Sequence, residues 1–354
     1  MKILSAHGRR ETLGLSRPYT IASRRVDSVE NLVVVLRTGK HAGFGAAAPD
    51  PGVTGETPEE CAAALTNGSL DWLVGEDLRD LERLSRSLER RFPSAPAARA
   101  AVDMAMHDLL ARHLEVPLVR LLGQAQEGLP TSVTIGIKPA EEALAEADEY
   151  IARGFRVLKI KLGLSLPEDL DRLARLRERV GGAVRIRADA NCGYTPEETA
   201  GFFEKTAYLD LEFLEQPVPR GSERALGDLP ERVRRRIAGD ESVRNERDAL
   251  RWTAEPRPFG VFNVKLMKCG GIRSARRIAA LAETAGIDLM WGCMDESAIS
   301  ITAALHAALS SPATRYLDLD GSLDLARDVV RGGFVLEDGT MRASDAPGLG
   351  VEPL

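Results

Sequence analysis

The sequence has little of what builds disulfide, zinc or nucleic-acid chemistry. Its four cysteines, Cys61, Cys192, Cys269 and Cys293, show no CxxC spacing, so neither a disulfide framework nor a thiolate finger is expected. Reactive roles for Cys192 and Cys293 compete with the commoner state of a buried, inert thiol. There is no basic surplus: the net charge is −6, which argues against a nucleic-acid surface. The one basic run, "RVRRRIAGD" (232–240), precedes an apolar strand-like segment, where a helix end commonly gathers positive charge. No stretch approaches the about 18 uninterrupted apolar residues of a membrane span. The opening "MKILSAHGRRETLGL" carries no apolar core or cleavage pattern of a signal peptide. A cytoplasmic, reduced protein without membrane contact is the expectation.

What is present is a globular composition. The 354 residues are 44% hydrophobic and 28% charged, enough for a large core and two domains. Residues 1–125 read as a mixed α+β unit. "NLVVVLRT" (31–38) is strand-like, the glycine-rich "GKHAGFGAAAPDPGVTGETPEE" that follows is loop-like, and "APAARAAVDMAMHDLLARHLE" (95–115) has apolar residues at helical spacing. Pro117 marks the end of that helix.

From about residue 130 a strand–helix unit repeats. The strand-like members are "TSVTIGI", "RVLKIKLG", "AVRIRADAN", "LEFLEQPV", "RIAGDES", "GVFNVKLMK", "IDLMWGCMDES" and "TRYLDLDG". Eight such strands with right-handed crossovers close into a barrel. An open doubly wound sheet is the alternative, weakened because no GxGxxG follows the first strand.

The second strand poses a problem. In "RVLKIKLG", Lys159 and Lys161 share one face of a run that otherwise reads as fully buried. Other strands carry a charged residue at the same phase. Lys161, Asp189, Glu215, Asp240 and Lys265 recur at intervals of 25 to 28 residues, followed by Asp295 and Glu296 after the seventh strand and Asp318 in the eighth. A constant phase puts them at the C-terminal mouth, where barrel enzymes hold their active sites. Asp189, Glu215 and Asp240 would repel one another there, and a divalent cation removes the problem. Their hard oxygen donors suit Mg²⁺, one per subunit. Zinc fits less well, because no histidine or cysteine stands at a matching strand end. Glu241 and Asn191 are read as supporting residues, Asn191 chiefly as turn chemistry. Lys161 and Lys265 come from strands on opposite sides, so a substrate held at the metal has one lysine on each face. Lys159 and the metal lower the pKa of Lys161 toward that of a usable base.

Taken together, "KIK", "RADAN", "LEQP", "GDES" and "NVKLMKCGGI" resemble the enolase superfamily, muconate-lactonizing-enzyme subgroup, over almost the whole chain. The resemblance implies a (β/α)7β barrel, a modified TIM barrel, over 126–324, with residues 1–125 as an α+β capping domain and 325–354 returning to it. It implies Asp189, Glu215 and Asp240 as Mg²⁺ ligands, Lys161 and Lys265 as acid–base residues, and removal of a proton α to a carboxylate through an enediolate. Lys268 is left as accessory. The histidines, at 7, 41, 107, 113 and 306, match no strand end, which favours a lysine pair and 1,1-proton transfer over a His–Asp dyad.

"RYLDLDGS" places Asp318 and Asp320 on one face, as two acceptors for a substrate ammonium. This resembles the D-x-D motif of dipeptide epimerases and implies an isomerase inverting the C-terminal residue of a dipeptide, whose carboxylate meets the metal and Lys159. Specificity is expected from three places: a flexible loop around "RPYTIASRRVD" (17–27) with Arg24, a second near "APDPGVTG" (48–55) with Asp50, and the turn bearing Asp295 and Glu296. The acids favour a cationic (Lys or Arg) side chain and Arg24 an acidic one; the reading leans cationic. L-Ala-D/L-Glu epimerase, N-acylamino-acid racemase and o-succinylbenzoate synthase are the enzymatic alternatives, and a catalytically inactive barrel binding protein is the alternative from another class. A homo-oligomer is the expected assembly.

Overall fold

The computed structural model describes residues 1–21 and 24–354, with the side chains of 18–25 outside the description. The first layer is an antiparallel sheet. A long hairpin, Ser5–Ile21 with Arg24–Arg37, pairs in register from Ser5 opposite Arg37 to Gly14 opposite Ser28 and resumes at Tyr19 opposite Val26. The segment expected as a flexible loop over 17–27 therefore lies largely in paired strand. Arg24 belongs to the second strand, and its side chain lies outside the described residues.

The third strand, Ala42–Ala47, falls inside the stretch read from sequence as loop. Its glycines serve close approach instead of a turn. A Cβ on Gly45 would stand 1.8 Å from the carbonyl oxygen of Ala101, and one on Gly43 would stand 2.4 Å from that of Ala105. The sheet thus lies against the helix Pro96–His113, whose alanine-rich face permits the same contact. The buried carboxylate of Glu56 caps this helix from outside, accepting the backbone amide of Ala97 at 2.8 Å.

Eight parallel strands follow in sequential order: Val133–Ile135, Val157–Lys161, Arg185–Asp189, Leu211–Glu215, Ile237–Gly239, Val261–Val264, Asp288–Gly292 and Thr314–Asp318. They are called here the first to eighth barrel strands. A parallel bridge between Thr131 and Leu317 and a 3.0 Å bond from the Ser132 amide to the Leu317 carbonyl close the ring. This is the (β/α)7β architecture, built because inward positions alternate along each strand. Phe213, Ala238, Val261, Met290 and Tyr316 fill the lower interior. One residue pair further along, the inward side chains turn polar. No helix among the described residues is long and apolar enough to cross a membrane. The basic run lies where expected: a short helix, Glu231–Arg234, ends there before the fifth strand.

The C-terminal segment pairs with both parts. Thr340–Ala343 lies against Gly128–Pro130 below the barrel, while residues near 350 reach the helix Pro96–His113. Asp108 of that helix is the tie. Fully buried, its carboxylate accepts the Leu349 amide at 2.7 Å, the Phe44 amide at 2.8 Å and Arg112 Nε at 2.9 Å. Asp108→Ala leaves two buried amides and Arg112 Nε without their acceptor. The expected cost is about 3–5 kcal/mol, read as a lowered urea midpoint. A loss under about 1 kcal/mol would show that these elements are held together elsewhere.

Candidate active site

The polar residues in phase along the sequence meet at the C-terminal mouth of the barrel. Lys159 and Lys161 both point inward, as the i, i+2 rule requires. The side chain of Lys159 is only 3% exposed. Its Nζ lies 2.8 Å from Glu215 Oε2, 2.8 Å from Asp318 Oδ2 and 3.0 Å from Asp189 Oδ2. That answers the problem of the second strand: the buried ammonium is ringed by three carboxylates from three other strands. Lys161, more open at 30% side-chain exposure, lies 2.7 Å from Asp189 Oδ2.

Lys265 follows the sixth strand directly, with three strands between it and the second in either direction around the ring. Its Nζ donates to Asp240 Oδ2 at 2.7 Å. Lys268 sits one helical turn on. It donates to Asp240 Oδ1, to the Asp240 carbonyl at 2.6 Å and to the Asn263 carbonyl at 3.0 Å. Those bonds turn it onto Asp240 and the Asn263 carbonyl, whereas Lys265 has Asp240 as its one side-chain hydrogen-bond partner among the described residues.

Several neighbours hold this set, and two of them, Asn263 and Gln216, are not singled out from sequence. Asn263 Nδ2 donates to Glu215 Oε1 at 2.7 Å. The Gln216 carboxamide oxygen accepts the Asp240 amide at 3.0 Å, latching the fourth strand end to the fifth. Asn191 and Cys192 take left-handed φ values of 42° and 66°, and this turn aims the Asn191 amide at Asp189 Oδ1 at 3.0 Å. Asn191 is thus a turn residue that also holds Asp189 through its backbone. Glu241 lies over the same turn, 3.4 Å from Asn191 Nδ2. Burial, with Asp240 and Asp189 nearby, pushes its carboxyl up.

Asp318 and Asp320 share a face. Asp318 Oδ1 accepts the Ser132 hydroxyl at 2.6 Å, and Asp320 Oδ2 accepts the Thr134 amide at 2.7 Å. Burial, then Asp318, pushes the Asp320 carboxyl up to about 7. Glu296 is buried at the same rim, accepting the Met294 amide at 2.9 Å, and burial raises it to about 7. Asp295 is half-buried. Its carbonyl accepts Asn31 Nδ2 at 3.4 Å, so a strand of the N-terminal sheet touches this turn. Asp50 Oδ1 accepts the Gly52 and Val53 amides at 2.8 and 2.9 Å, stabilising its own loop.

Electrostatics separates the three carboxylates of the mouth. Burial works to raise Asp189, but Lys161 and Lys159 bring it down to about 2. Burial likewise opposes Lys265 and Lys268 at Asp240, and the lysines prevail, holding it well below the usual range. Glu215 goes the other way, pushed up to about 8 by burial and by Asp189. The same carboxylates reverse the effect of burial on Lys159 and Lys265 and raise both ammoniums above the ordinary lysine value.

The donor set suits a hard divalent cation. Three carboxylates from adjacent strands gather around positive charge, and all are buried. Glu215 Oε2 lacks a well-directed hydrogen bond, although Lys159 lies 2.8 Å away. Among the described residues, no three His, Cys, Asp or Glu side chains are drawn together as a closed cage, because lysine ammoniums stand between the acids.

Comparison with known proteins places this geometry. Residues 142–354 match the family described as "Enolase C-terminal domain-like", and residues 8–123 match "Mandelate racemase / muconate lactonizing enzyme, N-terminal domain". The chain is 56% identical over 352 residues to an L-Lys-D/L-Arg epimerase of Methylococcus capsulatus, covering 99% of both chains. It is 52% identical over 353 residues to an L-Lys-D/L-Arg epimerase of Desulforapulum autotrophicum, again covering 99% of both. Its fold superposes with a TM-score of 0.97, at 56% identity and 99% coverage of each chain, on a dipeptide epimerase from Methylococcus capsulatus crystallised with Mg and the dipeptide L-Arg-D-Lys.

Proposed function

The chain belongs to the mandelate racemase and muconate lactonizing enzyme family of the enolase superfamily, and from that membership we propose a magnesium-dependent dipeptide epimerase acting on cationic dipeptides. The observation that carries the reading is the pair of lysines, Lys161 and Lys265, on opposed strands across three buried carboxylates. Asp189, Glu215 and Asp240 would hold Mg²⁺. When bound, it stabilises charge developing on the substrate carboxylate and takes up the negative charge that keeps the lysines protonated.

The chain's own groups do the rest. Lys159, at the centre of the mouth, meets the substrate carboxylate. One of Lys161 and Lys265 removes the α-proton of the C-terminal residue, and the other delivers a proton to the opposite face, inverting the centre. Asp318 and Asp320 receive the N-terminal ammonium, which N-acylamino acids lack. That feature favours dipeptides over the racemase and synthase alternatives. Asp295 and Glu296 at the rim favour a cationic side chain.

A panel of L,L-dipeptides tests the preference. Lys- and Arg-containing dipeptides are expected to give the highest kcat/KM, with L-Ala-L-Glu at least ~100-fold lower, since like charges brought together at a desolvated rim cost several kcal/mol. A maximum on L-Ala-L-Glu would overturn the cationic assignment. The proposal extends to a cytoplasmic location, in keeping with four unpaired cysteines, and to a homo-oligomer, which light scattering reads directly.

A further inference from the structure

Below the mouth lies a residue that the proposed reaction does not use. Arg187 stands two positions before Asp189 on the third strand and so points inward one layer deeper. It is completely buried. Its guanidinium carbon lies 5.0 Å from the centre of the Tyr316 ring and 5.6 Å from that of Phe213. Its Nε donates to Glu212 Oε2 at 2.7 Å, and Nη1 donates to the Leu317 carbonyl at 2.6 Å and to Ser132 Oγ at 3.1 Å. A guanidinium has donors only, whereas a hydroxyl has one proton to give. Because Arg187 donates to it, Ser132 uses its own proton upward. Asp318 Oδ1 is 2.6 Å away, against 3.3 Å for the competing Leu317 carbonyl.

The direction of this chain has a consequence. The serine's bond to Asp318 Oδ1 leaves Oδ2 to meet Lys159 at 2.8 Å, and each oxygen keeps a further lone pair for an ammonium. The plane of the carboxylate is fixed at both ends. Charge-assisted bonds of this kind are the strong ones, and aligned chains of them reinforce one another in a low-dielectric interior. From this geometry we infer that Ser132, oriented by the buried Arg187, is the positioning residue that aims Asp318 at the substrate's N-terminal ammonium. Through Asp318 it sets the affinity for a free amine. The inference rests on the dipeptide-epimerase reading.

A purely structural role is the rival explanation. Ser132 sits at the seam where the first and eighth strands close the ring, the Arg187 guanidinium reaches it from the third strand, and both touch the Leu317 carbonyl there. The two roles separate by ligand. Ser132→Ala and the near-isosteric Ser132→Cys are assayed with a cationic dipeptide substrate and with a competitive inhibitor of the same skeleton that carries hydrogen in place of the N-terminal amine. Positioning predicts a KM raised about 10- to 100-fold for the dipeptide, the range of a hydrogen bond to a charged group. It also predicts kcat and the inhibition constant of the amine-less analogue within about twofold of wild type. Equal weakening of both ligands, a fall in kcat at unchanged KM, or melting of both variants below the assay temperature would overturn it and leave the serine as a seam residue. Wild-type controls isolate the parent reading. No epimerisation of any dipeptide by the unaltered protein refutes the proposed function itself. An analogue bound as tightly as the dipeptide refutes Asp318 as the amine's partner.

Discussion

Lys161→Ala and Lys265→Ala will each abolish interconversion of the two epimers, by at least about 10³-fold, yet each will still exchange the α-hydrogen of one epimer with solvent D₂O. The surviving epimer will differ between the two variants. The reason is the placement of the lysines. They end strands on opposite sides of an eight-stranded ring, one paired with Asp189 and the other with Asp240, so each reaches one face of a substrate held over the carboxylates. With one lysine gone, the other still removes the proton on its own face and returns a deuteron to that face. Label enters without inversion. Mass spectrometry of each diastereomer reads label, and chiral chromatography reads inversion. Loss of exchange on the same epimer in both variants, or full inversion surviving in either, would remove the two-sided mechanism. Lys268→Met is the contrasting variant. Its ammonium is directed to Asp240 and the Asn263 carbonyl, so its loss should lower activity toward both epimers equally and leave the pattern of exchange unchanged.

Much of this site was legible before any coordinates because barrel geometry turns spatial convergence into sequence period. Each strand–helix unit returns the chain to the same mouth, so a charged residue at constant phase identifies an inward, C-terminal position. The lysine pair of "KIK", the three acids and the D-x-D all follow from that rule and the i, i+2 alternation. The same rule held the supporting residues: Arg187 lies two before Asp189, and Asn263 two before Lys265. Neither announces itself in sequence, since a polar residue one layer below the mouth has no charged counterpart at the same phase on most other strands. Ser132 and Gln216 left no such mark, since a serine in a strand and a glutamine in a turn have many ordinary uses. Asp50 has a local role that the sequence reading leaves out. An acid in a mobile-looking loop reads as a ligand contact, but one followed by Pro-Gly more readily closes its own turn. The glycines of the third strand misled, because a glycine demanded by a helix only ångströms away looks in sequence like a glycine demanded by a turn.

Chelation of Mg²⁺ and the substitution Glu215→Gln should each reduce epimerisation by about 10³-fold or more, and the substitution should do so without weakening the cation-free fold. Glu215 is fully buried. Its Oε1 accepts Asn263 Nδ2 at 2.7 Å, which a glutamine carbonyl oxygen also does. Its Oε2 has Lys159 near it but no well-directed hydrogen bond. Exchanging that oxygen for an amide takes one carboxylate from the Lys159 ammonium, but Asp189 and Asp318 still flank it and burial with Asp189 already pushes the Glu215 carboxyl up to about 8, so the melting temperature in chelator should stay close to that of wild type. Addition of Mg²⁺ reverses the order. Wild type should gain stability by mass action, about 2.7 kcal/mol at a hundredfold excess over Kd, and the variant should lose most of that gain together with its activity. Melting curves with and without Mg²⁺ read both effects in one experiment. A variant stabilised by Mg²⁺ as strongly as wild type would mean that the cation is held without the fourth strand. A variant destabilised in chelator would mean that Glu215 serves the fold first, its proximity to Lys159 being a structural ion pair instead of a site kept for a metal.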